Sequence, residues 1–433
     1  MYYDKYQLDE LPCNERKSKL LSGVLFTVWL FTLILYIRVN NPLTYYILAF
    51  GFIFCVGLFS TQYLSLKINN IQKYWLFFIS YTFLITLSTD MFNVIKKGSY
   101  KTPLVFLILF IFILYFVQLC NRLYFFKLFR NFMAICSILG VIEYITNFQF
   151  YRSFITVDAI ERTYQIYGIL GSSNYRLMLF FGHPIMFALF IAIYLFILLY
   201  IPFKVRPINV SFFILGLICL ILTQSRSVWI AFGIVLILYL FVSKNIKKIS
   251  LKGIGRGSII LFIGIIVIFL IKLVKPTLFQ NLSMIFSDRI NAVINSPETS
   301  SGARVANLSL INYVPNVFVK FFGGGTGYGL GLLASHPTVD GWTHAIDNQY
   351  LTFFLDYGVV GLVIFIWFVF KCVHLLFKTN DALNKVILLS VLVILMASYF
   401  FEFYINMYVN YFLFILIAFI RKKDVNNPKD KML

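Results

Sequence analysis

Charged side chains are scarce in this sequence. They make up 12% of the 433 residues, whereas hydrophobic residues make up 60%. An ordinary soluble domain carries about 25% charged residues, and a soluble core stops growing at a few hundred residues. The composition therefore excludes an ordinary soluble protein and favours an integral membrane protein, whose apolar side chains face lipid.

Signatures of metal, disulfide and nucleotide sites are also absent. The six cysteines show no CxxC or Cys/His spacing, so neither a metal site nor a disulfide framework is predicted. The glycine-rich run Gly323–Gly329 lacks the Gly-Lys-Ser/Thr that completes a nucleotide-binding loop. The net charge of +20 does not indicate a nucleic-acid partner, because membrane proteins concentrate basic residues in cytoplasmic loops. No cofactor is predicted.

Apolar runs long enough to cross a bilayer recur along the chain. The first begins near Leu20 and lacks the small-residue cleavage site of a signal peptide. We therefore predict that it is not cleaved and forms the first transmembrane helix. The predicted fold is all-α: a polytopic membrane protein with about 12 transmembrane helices and a large extracytoplasmic loop between helices 9 and 10. The predicted helices are Leu20–Ile37, Leu43–Ser60, Tyr74–Met91, Pro103–Leu119, Leu128–Ile145, Leu177–Ile201, Ile208–Thr223, Ser227–Val242, Ser258–Val274, Tyr350–Lys371, Lys385–Phe401 and Ile405–Ile420.

Basic residues give the orientation. They cluster in both terminal tails and in the loop near residues 244–256, which places both termini in the cytoplasm. One outer loop, with Lys96, Lys97 and Lys101, argues the other way but is outweighed by the two tails. The predicted segments are a cytoplasmic tail (1–19), helices 1–9 (20–274) with an outer loop near 147–176, a large extracytoplasmic loop (275–348), helices 10–12 (349–420) and a cytoplasmic tail (421–433).

The large outer loop is too long to be a simple connection. It retains many aliphatic and aromatic residues, so we expect short helices against the outer membrane face rather than disorder. Gly302–Lys320 has helical spacing, and the glycines of Gly323–Gly329 predict a turn-like segment after it.

Ionisable residues near the outer helix ends are the candidates for chemistry. Arg226 lies between two apolar segments; it either reaches for lipid headgroups or binds an anion such as a lipid diphosphate, which suits the planar arginine fork. Arg176 and His183 flank the start of another helix, where His183 could equally be a packing residue. Arg304 lies in the large loop and is either a solvated charge or a further cation of the site.

The densest polar cluster is Thr343–Tyr350, where the large loop returns to the membrane. His344 and Asp347 are three residues apart and would share one face of a helix. Either side chain could take a proton from a sugar hydroxyl; alternatively, Asp347 caps the next helix. Glu143 and Glu402, near helix ends, are weaker candidates.

These elements together resemble the O-antigen ligase and polymerase superfamily of bacterial membrane glycosyltransferases. Residues 176–184 resemble its Arg…Phe-x-His/Asn-Pro element, and 223–229 its Thr-x-Ser-Arg segment. Residues 301–304 and 323–329 resemble the arginine and glycine elements of its outer loop, and 344–361 its closing His-Asn-x-x-Leu…Gly-x-x-Gly stretch. One departure is that Asp347 stands where the family often has histidine, and this leans towards a polymerase.

The resemblance implies transfer of a glycan from undecaprenyl diphosphate to a hydroxyl of another lipid-linked repeat unit, on the outer face of the bacterial cytoplasmic membrane. It implies a metal-independent reaction, because the donor is already activated. The implied partners are the lipid-linked oligosaccharide, membrane lipid and a chain-length regulator protein. The implied catalytic residues are His344, Asp347, Arg226 and Arg304, and the implied substrate-binding residues are Arg176, His183, Asn348 and Arg289.

Other functions fit the same sequence. A ligase would use the same chemistry to attach finished glycan to a different acceptor. A flippase for lipid-linked oligosaccharide shares the length and helix number, but its charges should lie nearer mid-membrane and internal repeats are expected. A membrane scaffold leaves the convergence of polar residues on one side unexplained.

Overall fold

The computed structural model describes residues 13–38, 68–91, 98–146, 176–242, 300–338, 345–404 and 406–421. Within these ranges the secondary structure is helical and contains no β-strand, as predicted. The predicted helices Leu43–Ser60 and Ser258–Val274 lie outside the described residues, as do His344 and Arg289. The predicted number of spans is therefore not tested.

The described helices follow the predicted apolar runs closely. Short 3₁₀ helices occur at Leu179–Phe181 and Leu308–Tyr313. The α-helices are α1 (Cys13–Arg38), α2 (Asn70–Met91), α3 (Lys101–Gln118), α4 (Arg122–Thr146), α5 (Pro184–Tyr200), α6 (Arg206–Leu222), α7 (Arg226–Val242), α8 (Ser300–Asn307), α9 (Val317–Phe322), α10 (Tyr328–Ser335), α11 (Gln349–Lys378), α12 (Ala382–Ala397) and α13 (Met407–Phe419).

Three short helices, α5, α12 and α13, form the centre of the bundle. Their side chains are buried on nearly every face, as expected of helices that are apolar all round. Around them, α1, α3, α4 and α11 contain stretches long and apolar enough to cross a membrane. These outer helices expose aliphatic and aromatic side chains such as Ile135 and Phe370, which suits contact with lipid. The chain is thus a membrane protein built around a buried central layer.

Helix α11 reverses its direction at Gly358, which has φ 68° and ψ −172°. The ring centroids of Tyr350 and Phe365 lie 5.3 Å apart, whereas fifteen residues of straight helix would separate them by about 22 Å. Phe353 also contacts Phe365, at 4.8 Å. Residues 349–357 are therefore a re-entrant helix that folds back on the rest of α11. The predicted span Tyr350–Lys371 differs from the structure, because the helix is interrupted at Gly358.

One end of the bundle is held by basic and amide side chains. Arg122 Nη1 donates to Asn384 Oδ1 at 2.9 Å and pairs with Asp381 Oδ2 at 3.5 Å. Asn384 Nδ2 donates to the carbonyl of Arg421 at 2.9 Å, and Lys385 Nζ lies 3.4 Å from the carbonyl of Val242. We call this the basic end; it is the end predicted to face the cytoplasm.

The opposite end gathers the starts of α5, α7, α11 and α13, and we call it the loop end. The backbone N–H of Gln349 donates to the carbonyl of Ser398, which joins the start of α11 to the end of α12. Tyr408 Oη donates to the carbonyl of Phe181 at 2.8 Å, which joins α13 to the segment before α5. The described residues of the large loop contact this same end.

We expect the two ends to lie on opposite sides of the membrane. In a chain with Cys13 and Cys55 changed to serine, Lys101→Cys at the loop end should react with a membrane-impermeant maleimide in intact cells. Lys378→Cys at the basic end should react only after permeabilisation. Both lysines are exposed, and the four other cysteines are buried and give little background. The reverse pattern would contradict the predicted orientation.

Candidate active site

Arg176 is docked on the turn between α6 and α7. Its Nε donates to the carbonyl of Thr223 at 3.0 Å, and one Nη donates to Ser225 Oγ at 3.1 Å. The same turn is held by a backbone bond from Leu177 N–H to the carbonyl of Leu222 at 3.0 Å. Arg176 therefore fixes the turn on which Arg226 stands, a role that sequence reasoning had not assigned to it.

Arg226 is half-buried and is the first residue of α7. The N-terminus of a helix carries partial positive charge, so an arginine there costs about 0.3–1 kcal/mol unless an anion is present. No acidic residue lies in the first turn of α7. Two arginines, Arg176 and Arg226, together with a helix N-terminus form the usual elements of a phosphate site.

His183 is the N-cap of α5. Its Nδ1 accepts a hydrogen bond from the backbone N–H of Ile185 at 3.1 Å. Burial, and then the neighbouring Arg176, lower the pKa of His183 to about 3. The imidazole is therefore neutral near pH 7 and carries its proton on Nε2. In this state His183 can donate a hydrogen bond to a substrate but is a poor general base.

The glycine-rich segment is docked on the reversal of α11. A Cβ atom on Gly323 would lie 2.2 Å from the carbonyl oxygen of Asp356, and one on Gly358 would lie 2.3 Å from the carbonyl oxygen of Phe321. Both positions have positive φ values, which side-chain-bearing residues rarely adopt. Glycine is required at both positions because two backbones touch there.

Asp356 anchors the rest of this segment. Its two carboxylate oxygens accept backbone hydrogen bonds from Gly327 at 3.0 Å and Gly329 at 2.8 Å. The predicted turn is present at Gly323–Gly327, but Gly329 is already inside α10. Sequence reasoning missed Asp356, although a carboxylate two residues before Gly358 in an apolar run was a usable signal.

Hydroxyl groups connect the loop to α2. Thr86 Oγ1 and Thr326 Oγ1 lie 2.8 Å apart, and Thr326 Oγ1 lies 2.9 Å from Tyr357 Oη. Tyr81 Oη donates to the carbonyls of Phe322 and Tyr357, at 3.2 and 3.1 Å. The loop is thus ordered against the bundle, as predicted. The stretch with helical spacing, Gly302–Lys320, forms short helices, and an extended break at residues 314–316 separates the 3₁₀ helix from α9.

Arg304 and Asp347 form a pair at the loop end. Arg304 Nε donates to the backbone carbonyl of Asp347 at 3.2 Å, and an Nη lies 3.8 Å from its Oδ2. Asn307 Nδ2 holds the same segment of the chain by donating a hydrogen bond to the carbonyl of Ile346 at 3.1 Å. Burial raises the pKa of Asp347, although Arg304 opposes this. The arginine predicted from the loop and the carboxylate predicted before α11 are therefore in contact, and the carboxylate is a stronger base than an exposed one.

The N-cap of α11 is Asn348, not Asp347. Asn348 Oδ1 accepts from the backbone N–H groups of Tyr350 and Leu351, at 3.0 and 3.2 Å. Asp347 precedes the helix with φ 55°, in the left-handed region. The capping role considered for Asp347 is therefore wrong, and so is the helical geometry assumed there. Its side chain is instead held beside Arg304.

Glu402 lies in the connection between α12 and α13. It is 6% exposed and its Oε1 accepts a hydrogen bond from Thr352 Oγ1. Burial raises the pKa of Glu402 to about 8, with Asp347 and Asp356 contributing in the same sense. This side chain, a weak candidate from the sequence, is therefore a buried carboxyl group whose pKa the charge of Asp347 helps to raise.

The described residues thus form two groups at the loop end. Arg176, His183 and Arg226 surround the α6–α7 turn, while Arg304 and Asp347 lie at the start of α11. Within the described part of the chain, no group of three or more histidine, cysteine or acidic residues could hold a metal ion. The roles predicted for His344 and Arg289 remain predictions, since both residues lie outside the described ranges.

We expect Gly358→Ala to destabilise the loop end by about 3 kcal/mol, from backbone strain at its φ and ψ and from overlap with Phe321. Limited proteolysis of the large loop and chemical unfolding in detergent would measure this. Gly331→Ala is the matched control, because an added Cβ there meets open space and alanine favours a helix by up to about 1 kcal/mol. Equal stability of the two variants would show that the glycine contact is unimportant.

Comparison with known protein families gives a match to part of the chain. A model of the O-antigen ligase family matches residues 211–366. The matched segment contains Arg226, Arg304, Asp347 and Asn348, whereas Arg176 and His183 precede it. No curated protein matches the chain. The match covers 156 of the 433 residues. It confirms the resemblance indicated by the sequence: over residues 211–366 this chain is similar to the O-antigen ligase family.

Proposed function

We propose that this protein polymerises lipid-linked oligosaccharide on the outer face of the bacterial cytoplasmic membrane. A glycan held on undecaprenyl diphosphate is moved to a hydroxyl of another lipid-linked repeat unit. The observation that carries the proposal is the contact between Arg304 and Asp347 at the end of the bundle that also holds Arg176 and Arg226. This arrangement supports the proposal, because cations and a basic carboxylate gather at one end of the bundle.

The arginines are proposed to bind the donor diphosphate. In the transition state negative charge grows on the phosphate oxygens, and fixed cations stabilise that charge best when they are already in place. Arg176 is held by the turn at 223–225, and Arg226 stands at the positive end of α7. His183 adds a neutral donor near Arg176.

Asp347 is the proposed general base. It takes the proton of the acceptor hydroxyl, whose oxygen forms the new bond to the anomeric carbon. The bond between that carbon and the diphosphate oxygen breaks, and the lipid diphosphate leaves with the electron pair. The raised pKa of Asp347 favours this role, because a more basic carboxylate accepts a proton more readily.

A ligase is the nearest alternative, and the description of the matched family as O-antigen ligase favours it. We favour a polymerase because aspartate, not histidine, precedes Asn348. In both reactions a hydroxyl attacks the anomeric carbon, so the two differ in the acceptor and not in the residues required. A flippase stays the alternative of a different class.

Loss of the protein should leave cells with single repeat units in place of long surface polysaccharide. Complementation with wild type should restore long chains on a gel, whereas Arg226→Ala and Arg304→Ala should not. Lys320→Ala is the matched control, because this loop lysine is exposed. Long lipid-linked chains that remain unattached would identify a ligase instead. Accumulation of units on the inner leaflet would identify a transporter.

Purified protein in detergent should extend a lipid-diphosphate-linked oligosaccharide without a nucleotide sugar. Asp347→Asn should lower the initial rate by about 10²–10⁴-fold, the usual contribution of a general base. Arg226→Ala should lower it by about 10²–10³-fold through lost charge stabilisation. Full activity of Asp347→Asn together with an inactive His344→Ala would assign the base to His344.

A further inference from the structure

Glu402 is joined to the start of the re-entrant helix, close to Asp347 in the chain. Its carboxyl group accepts a hydrogen bond from Thr352 Oγ1, and the same hydroxyl lies 3.1 Å from the carbonyl oxygen of Asn348, the residue after Asp347. On the other side of Asp347, the carbonyl of Ile346 accepts a hydrogen bond from Asn307. The connection from α12 to α13 is held in turn, because Asn406 Nδ2 donates to the carbonyl of Glu402 at 2.9 Å. Glu402 therefore sets the position of the backbone from which Asp347 projects.

The second oxygen of this carboxyl, Oε2, is buried and has no hydrogen-bond partner among the residues that the structure describes. An ionised oxygen in such a place is strongly disfavoured. The negative charges of Asp347 in the loop and Asp356 in the re-entrant helix also raise the pKa of Glu402. The guanidinium of Arg304 is paired with Asp347. Geometry and charge together favour a proton on Glu402 and a negative charge on Asp347.

We propose that Glu402 is a positioning residue that stays protonated beside Asp347 and thereby keeps Asp347 as the ionised base. When two neighbouring carboxyl groups lie in different surroundings, their pKa values move apart, so that one keeps its proton while the other is ionised. The inference rests on the proposed function, in which Asp347 accepts the proton of the acceptor hydroxyl. Glu402 keeps its own proton throughout that step.

The proposal predicts a decline of activity at alkaline pH. Burial raises the pKa of Glu402 to about 8, so the group loses its proton as the pH rises through that value. A second negative charge would then face Asp347 and the developing charge on the diphosphate, and the repulsion would slow the transfer. Glutamine in place of Glu402 keeps an oxygen acceptor for Thr352 but cannot ionise.

Rates of the wild type, Glu402→Gln and Glu143→Gln should be measured across the pKa of about 8. We expect Glu402→Gln to retain the neutral rate within about threefold and to lose the alkaline decline. Glu143→Gln, which changes another fully buried glutamate in α4, should keep the wild-type decline. A decline that persists in Glu402→Gln would overturn the proposal. So would a loss as severe as that of Asp347→Asn, because Glu402 would then be the base itself.

Infrared difference spectra of the purified protein give a test that needs no turnover. In the wild type and in Glu143→Gln, the component of the carboxylic-acid C=O band that is due to Glu402 should disappear as the pH is raised through about 8. This component should be missing from Glu402→Gln at every pH. Absence of that component from the wild type would refute the inference even if glycan is extended. A wild type that shows the band but extends no glycan would refute the proposed function instead.

Discussion

The loop end depends on one close approach of two backbones, where Gly323 meets the reversal of α11 at Gly358. Without side chains at these positions, the chain can turn at φ 68° and the glycine-rich segment can lie directly on it. The reversal frees the carbonyl of Tyr357 from the helix, and Tyr81 satisfies it. It also carries the start of α11 back to the end of α12, where Gln349 bonds to Ser398. The start of α11, which Asp347 precedes, is therefore positioned by this reversal together with the bond from Gln349 to Ser398.

The lengths of the central helices explain why polar groups gather at the loop end of the bundle. α13 has 13 residues and is therefore about 20 Å long, whereas the hydrocarbon core of a bilayer is about 30 Å thick. A helix of this length leaves a recess at one end, which other backbone must fill. Here the re-entrant helix and the connection that contains Glu402 contact the ends of α12 and α13. Irregular backbone is tolerated at such depth only where protein or a water-filled cavity surrounds it.

Much of this arrangement could be predicted from the sequence, because apolar runs report burial directly. The described helices fall on the predicted runs, and the loop was predicted to be ordered from its aliphatic residues. The reversal at Gly358 could not be predicted in this way, since hydropathy is the same for a straight helix and a folded one. For the same reason Asp356 was passed over, and Asp347 was assumed to be helical. Spacing rules such as i, i+3 hold only inside a continuous helix.

The candidate residues were found by charge, but their partners depend on contacts between distant segments. Arg176 was predicted as an anion-binding residue, and in the structure it donates hydrogen bonds to the turn at 223–225. These two roles are compatible, since an arginine has five donors and can hold a turn while it faces a phosphate. Arg304 and Asp347, 43 residues apart, meet only because the loop returns over the reversed helix. Residue type therefore indicated the chemistry, whereas the fold determines which of these side chains contact one another.

The division of the site into two groups fits a transfer between two lipid-linked molecules. On the proposed function, the α6–α7 turn holds the diphosphate that leaves, while Asp347 acts on the hydroxyl that attacks. These groups rest on different elements, joined where Tyr408 of α13 contacts Phe181. A pair such as Arg304 and Asp347 interacts more strongly in a low-dielectric site than in water. Water is also a competing acceptor, so a recess lined by protein favours transfer to a sugar over hydrolysis.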